Sequence, residues 1–167
     1  MARTIRTKVY KFDELNETAK QKAIEDLSEI NVDYDWWQFV YEDAENIGLK
    51  IDGFDIDRGS YCNGNFTISA HEVAANIIRD HGESCDTYKT AQEFLDNSNE
   101  IQNKYPEMEG PDYEDEMISN EDAFLNSILE DYRVMLTNEY EYLISDEAII
   151  ETIQANEYEF TADGRRF

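Results

Sequence analysis

Apolar residues along this chain recur mostly at helical spacing. Ala19, Ala23, Leu27 and Ile30 predict a helix over 17–31 with Asn16 at its start. Trp36, Val40, Ala44 and Ile47 form the stripe of a second helix, widened by Trp37 and Tyr41. Asp35 and Gln38 stand at capping-box spacing before it, and Gly48 is placed to end it in a left-handed turn. Ser69 and Glu72 predict a helix that carries Val73, Ala74, Ile77 and Ile78 and stops near His81-Gly82. Thr90 and Glu93 predict another, with Phe94, Leu95 and Ile101. From Ser119 to about Ile144 runs the longest pattern, through Leu125, Ile128, Leu129, Tyr132, Leu136, Tyr140 and Leu143. Ser145 then opens a short helix with Ile149, Ile150 and Ile153, ended by Asn156.

Period-two alternation appears in Ile5–Tyr10, Leu49–Asp57, Asn65–Ser69 and Glu157–Thr161. In the second of these, apolar parity switches between Ile51 and Phe54, which predicts a bulge at Gly53. Residues 58–64 read as a turn-rich connection, 105–117 as a loop holding both prolines, and Asp163-Gly164 as a turn. Leu49–Asp57, the connection 58–64 and Asn65–Ser69 together are expected to form a small antiparallel sheet, a hairpin. The terminal strands have two possible pairings, with each other or with the hairpin. The order is not a regular βαβα alternation. It predicts a single α+β domain over 1–167, a small, mostly antiparallel sheet packed with about six helices.

Charge changes this picture. The 167 residues hold 39 acids and 14 Lys or Arg, a formal net charge of −25 at pH 7. Residues 105–147 contain fourteen acids and one base, Arg133, whereas residues 1–11 contain four bases and no acid. A compact chain of this length measures roughly 40 Å across, and 40 Å of duplex DNA carries about 24 charges. If the carboxylates shared one face, that face would compete for a nucleic-acid-binding cleft. If they surrounded the molecule, about half would meet any one partner, and a solvated acidic surface would be the plainer reading. The candidate partner-binding residues are Glu107, Glu109, Asp112, Glu114, Asp115, Glu116, Glu121, Asp122, Glu130 and Asp131. Tyrosines lie among these acids, and tyrosine is enriched at binding hot spots. Tyr132 and Tyr140 belong to the apolar stripe and are assigned to the core.

Other chemistry is weakly represented. Cys62, His71, His81 and Cys85 lack the paired short spacings of zinc sites, and the two histidines stand about 15 Å apart on one helix. Cys85 beside His81 is a weak nucleophile–base candidate. Asp52, Asp55 and Asp57 surround a turn, but the acid that would close a calcium loop falls on Phe66. No phosphate-binding glycine loop, HExxH helix or nucleophile elbow occurs. No catalytic residue, metal or cofactor is assigned, and the expectation is a protein that is not an enzyme. Two cysteines, no uncharged apolar run of membrane-spanning length and a first segment without a secretory pattern predict a reduced, cytoplasmic protein with no membrane contact. The charge sign disfavours direct contact with nucleic acid.

The run Lys8–Leu15 followed by Ala19 and Ala23 resembles a family of small acidic phage and prophage proteins. Asp35-Trp36-Trp37, His81–Tyr88 and Glu157–Thr161 with Asp163-Gly164 extend that resemblance over most of the chain. It transfers no functional residue. It implies a mobile-element accessory protein, and size and acidity add an analogy of charge to DNA-mimicking anti-restriction and anti-CRISPR proteins. The expected function is a phage-encoded, non-enzymatic inhibitor that binds a basic nucleic-acid-binding protein of the host cell. The alternative is an antitoxin-like or regulatory protein-interaction module, with Trp36 or Trp37 as an anchor if exposed.

Overall fold

A computed structural model describes residues 6–167. The chain divides into two compact units. One comprises the described residues up to Trp36 together with Asn138–Phe167; the other is the continuous stretch Trp37–Thr137. Among the described residues there are six α-helices and four strands, the strands in two antiparallel pairs, as an α+β reading requires.

The discontinuous unit is held together by the terminal strands. β1 (Tyr10–Lys11) pairs antiparallel with β4 (Glu159–Phe160), with Tyr10 opposite Phe160. This decides between the two pairings that the sequence left open. The predicted strand Ile5–Tyr10 is reduced to its end: residues 6–9 have no regular structure, and Ile5 lies outside the described residues. α1 (Glu17–Asp26) is capped by Asn16, whose side chain accepts from the Ala19 amide. It stops five residues before its pattern does. Residues 27–32 continue in single turns because buried Asn31 is engaged elsewhere, donating to the Leu143 carbonyl and accepting from Thr152. α6 (Asp146–Ala155) starts at Ser145, whose hydroxyl accepts from the Ala148 amide. Phe12, Ala19, Ala23, Ile149, Ile153 and Phe160 form this unit's core. Trp36 is buried and packs on Tyr140, with ring centroids 5.4 Å apart.

The continuous unit begins with α2 (Gln38–Ile47). Asp35 does not cap it: residues 36–37 form a turn, Trp37 occupies the cap position, and Gln38 donates to Glu42. Gly48 ends it at φ 94°. β2 (Leu49–Asp55) and β3 (Tyr61–Phe66) form the hairpin, and the register shifts between Ile51 and Gly53, where the parity change predicted a bulge. β3 begins four residues before the predicted strand. Gly64, read as part of a turn, sits inside it because a Cβ there would lie 2.3 Å from the Lys50 carbonyl oxygen.

α3 (Ala70–Asp80) has the Ser69–Glu72 capping box. α4 (Asp86–Lys104) starts four residues before the predicted Thr90 cap, because the Thr90 hydroxyl donates to Asp131 instead of closing a helix end. α5 (Pro111–Leu143) is 33 residues long and takes in half of the predicted loop. Pro111 holds its first position, where a missing amide proton costs nothing and φ is already helical. Of α5, residues 111–137 belong to the continuous unit and 138–143 to the other. In the continuous unit, Phe94 of α4 stacks on Phe124 of α5 at 4.4 Å, Phe66 of β3 lies 5.3 Å from Phe124, and His71 of α3 meets Phe94 edge-on at 4.9 Å.

Candidate functional site

The Phe124 stack fixes which way α5 faces in its first half. At 100° per residue, Asp122 lies about 200° from Phe124 and Asp115 within about 20° of Asp122, so both point away from the core. Asp112, Glu114, Asp115 and Asp122 are exposed, and Glu121 is partly so. Glu107 and Glu109 are exposed in the short connection before the helix. Among the described residues these seven carboxylates have neither a cationic partner nor a side-chain hydrogen bond. Asp112 and Glu114 sit in the first turn of α5, where the helix dipole favours negative charge.

The other three candidates are engaged. Glu116 binds Lys104 and accepts from the Tyr105 hydroxyl, and these contacts hold its carboxyl below the usual range. Glu130 accepts both arms of the Arg133 guanidinium, at 2.6 and 2.7 Å, and is lowered in the same way. Asp131 is half-buried and accepts from Thr90 at 2.7 Å, and burial pushes its carboxyl up. The ten residues therefore do not act as one set. The seven unpaired residues over 107–122 carry the free charge, Asp131 ties the helix to α4, Glu116 is paired with Lys104, and Glu130 is neutralised by Arg133 on its own helix.

The continuous unit holds 23 acids against six Lys or Arg, a net charge of −17 out of −25. On one flank of α5 an open groove of about 510 Å³ runs along α4, lined by Asn97, Glu100, Ile101, Lys104, Glu116 and Asn120 among others.

A second polar arrangement was not legible in the sequence. The Tyr132 hydroxyl on α5 donates to Asp43 Oδ2 on α2 at 2.7 Å, and Asp43 Oδ1 lies 3.5 Å from Nε2 of His81, the C-cap of α3. His81 Nδ1 is hydrogen-bonded to the Thr87 hydroxyl in the first turn of α4 at 2.7 Å. Hydroxyl, imidazole and carboxylate stand in the order of a nucleophile, base and orienting group. Thr87 is only 4% exposed, so its oxygen is closed to a substrate, and the chain serves to tie four helices together. Hydrogen bonding from His81, then from Tyr132, holds the Asp43 carboxyl below its ordinary value against the opposing effect of burial. A depressed carboxyl stabilises the fold above its unfolded pKa of about 4, and the contribution disappears as pH falls through the lower folded value. Asp43→Asn is accordingly expected to cost stability at pH 7 and to cost progressively less as pH is lowered below about 4, as read by urea midpoints; a gap that does not narrow with acid would contradict it.

The remaining candidates fall apart in space or into structural roles. His71 packs on Phe94, and Cys62 is buried, its thiol pushed up to about 11 by burial. Asp55 accepts from the Asp57 amide at 2.7 Å, and Asp52 lies 3.6 Å from Lys50. Among the described residues no three His, Cys, Asp or Glu side chains are grouped to hold a metal ion.

No protein-family model, curated protein or solved structure matches this chain. Among the described residues no helix is long and apolar enough to cross a membrane.

Proposed function

We propose that this chain is a non-enzymatic inhibitor that lays the acidic first half of α5 on the nucleic-acid-binding surface of a basic protein and so excludes the nucleic acid. Its setting, on the resemblance to phage proteins, is the cytoplasm of an infected cell, and its target a host defence nuclease or CRISPR effector. The observation that carries this reading is the run of seven carboxylates over 107–122 with no cation to neutralise them. From Asp112 to Asp122 the helix rises about 15 Å. Five of those carboxylates fall within that length, whereas duplex DNA carries about nine charges there. A duplex turns only about half of its phosphates toward one partner, so the two faces are comparable in density.

Beyond the first turn, where the dipole favours Asp112 and Glu114, unpaired carboxylates that face water add nothing to folding, and like charges three or four apart on a helix oppose it by a few tenths of a kcal/mol each. A binding role accounts for that cost. Steering by such a face accelerates association and weakens with salt. The test is displacement of labelled duplex DNA from candidate basic nucleases and effectors by the full chain. Displacement is expected to weaken about tenfold between roughly 50 and 300 mM NaCl, and the Glu114→Gln/Asp115→Asn/Glu121→Gln/Asp122→Asn variant to weaken it further. Displacement that ignores salt, or survives those four changes intact, would rule out an electrostatic mimic.

A further inference from the structure

An isoleucine occupies the centre of the free carboxylates. Ile118 on α5 is 56% exposed. Its nearest neighbours on the helix surface are the residues three and four positions away on either side. All four are acidic: Glu114, Asp115, Glu121 and Asp122. None of the four is paired among the described residues, so no salt bridge folds over the isoleucine. The same arrangement recurs in smaller form before the helix, where Met108, also 56% exposed, stands between Glu107 and Glu109.

A polyanion mimic needs only charge. Phosphate backbones present no branched aliphatic group, and an exposed Ile brings no gain toward a small cation or a polyamine. Hot spots in protein interfaces have the layout seen here: a few anchors that lose water completely, surrounded by a polar rim. The carboxylates are unpaired, so the rim complements cationic groups such as those of Lys and Arg.

We infer that Ile118 is the apolar anchor of the acidic face, and that the partner is a protein surface bearing an aliphatic-lined depression bordered by lysine or arginine. This rests on the proposed binding role of α5 and adds to it what kind of basic surface is selected. Groups that are purely cationic meet the rim alone. A basic surface with an apolar hollow meets both rim and anchor.

Two labelled synthetic peptides of equal length and charge separate these cases when titrated against the full chain by fluorescence anisotropy at about 150 mM NaCl. One is a leucine–lysine amphipathic helix, the other a lysine–serine chain. The leucine–lysine peptide is expected to bind about tenfold tighter, equivalent to about 1.4 kcal/mol. Ile118→Ala is expected to abolish most of that preference while leaving the lysine–serine affinity unchanged. Ala is the strongest helix former and the position is exposed, so the variant keeps its fold. Ile68→Ala, at an exposed apolar residue outside α5, is expected to keep the full preference. Equal affinity of the parent for both peptides, or a preference that survives Ile118→Ala, overturns the inference. The outcome is independent of the DNA displacement assay. Failure of displacement alone removes the inhibitor reading, and failure of the peptide preference alone removes the anchor.

Discussion

Gly164→Ala is expected to destabilise the protein by roughly 4 kcal/mol, near the upper end of what one substitution does. Two effects add at this position. Gly164 has φ 85°, a region that costs an L-residue about 1–2 kcal/mol. A Cβ there would also lie 2.1 Å from the carbonyl oxygen of Ala19. That oxygen is backbone in the first turn of α1, and Ala19 is 3% exposed, so it has no side-chain freedom with which to yield. Gly59 provides the comparison. Its φ is 84°, but a Cβ would meet nothing within 4 Å. Gly59→Ala should therefore show the backbone cost alone, about 1–2 kcal/mol. Urea denaturation followed by circular dichroism measures both; equal losses would mean that the close approach of residue 164 to α1 is absent in solution.

The second large effect is expected at Tyr132. It is wholly buried, and its hydroxyl meets Asp43. Tyr132→Ala removes a buried aromatic ring and should cost about 4 kcal/mol, the range for large-to-small changes in cores. Tyr132→Phe keeps the ring and deletes one hydrogen bond to a carboxylate, so a loss of about 1–2 kcal/mol is expected. Asp43 retains contact with His81 and is partly open to water, which limits the penalty. The gap between the two variants thus separates ring burial from the polar tie. A Phe variant as unstable as the Ala variant would show that the network, not the ring, holds α5 to α2. Thermal midpoints would show it clearly, since 1 kcal/mol moves a unit of this size by about 4–8 °C.

These two residues also mark how far the sequence could be read. Local signals were legible. Asn16, Ser69 and Ser145 cap where their spacing says, Gly48 takes the left-handed turn expected of it, Gly164 lies in the predicted turn, and the parity change at Gly53 is a real bulge. Misreadings arose where a local signal had a second meaning. Thr90 looked like a helix cap but bonds Asp131, 41 residues away. The prolines suggested a loop, yet Pro111 is at the one helical position that suits it. Asn31 looked like an ordinary end of α1, but its amide is drawn to Leu143, 112 positions on. The acidic candidates divide in the same way. Glu130 could have been set aside from sequence, since Arg133 stands three residues later on the same helix. Lys104 and Glu116 are on different helices, and only the fold brings them together. The chain Thr87–His81–Asp43–Tyr132 left no trace in the sequence, because its members are isolated polar residues on four separate elements. Ile118 was hidden for the opposite reason: its surroundings are entirely local, but its exposure is not.

The division of the chain sets an order for its synthesis. Residues 37–137 are contiguous, so a ribosome delivers everything that unit contains before Asn138 is made. The other unit needs α1 from early in the chain and α6 and β4 from its final thirty residues. During translation at about 5–20 residues per second, the apolar side of α1 waits at least several seconds for Ile149, Ile153 and Phe160. The acidic surface thus belongs to the part that can mature first, while the nascent chain's earliest helix is the one left needing shelter.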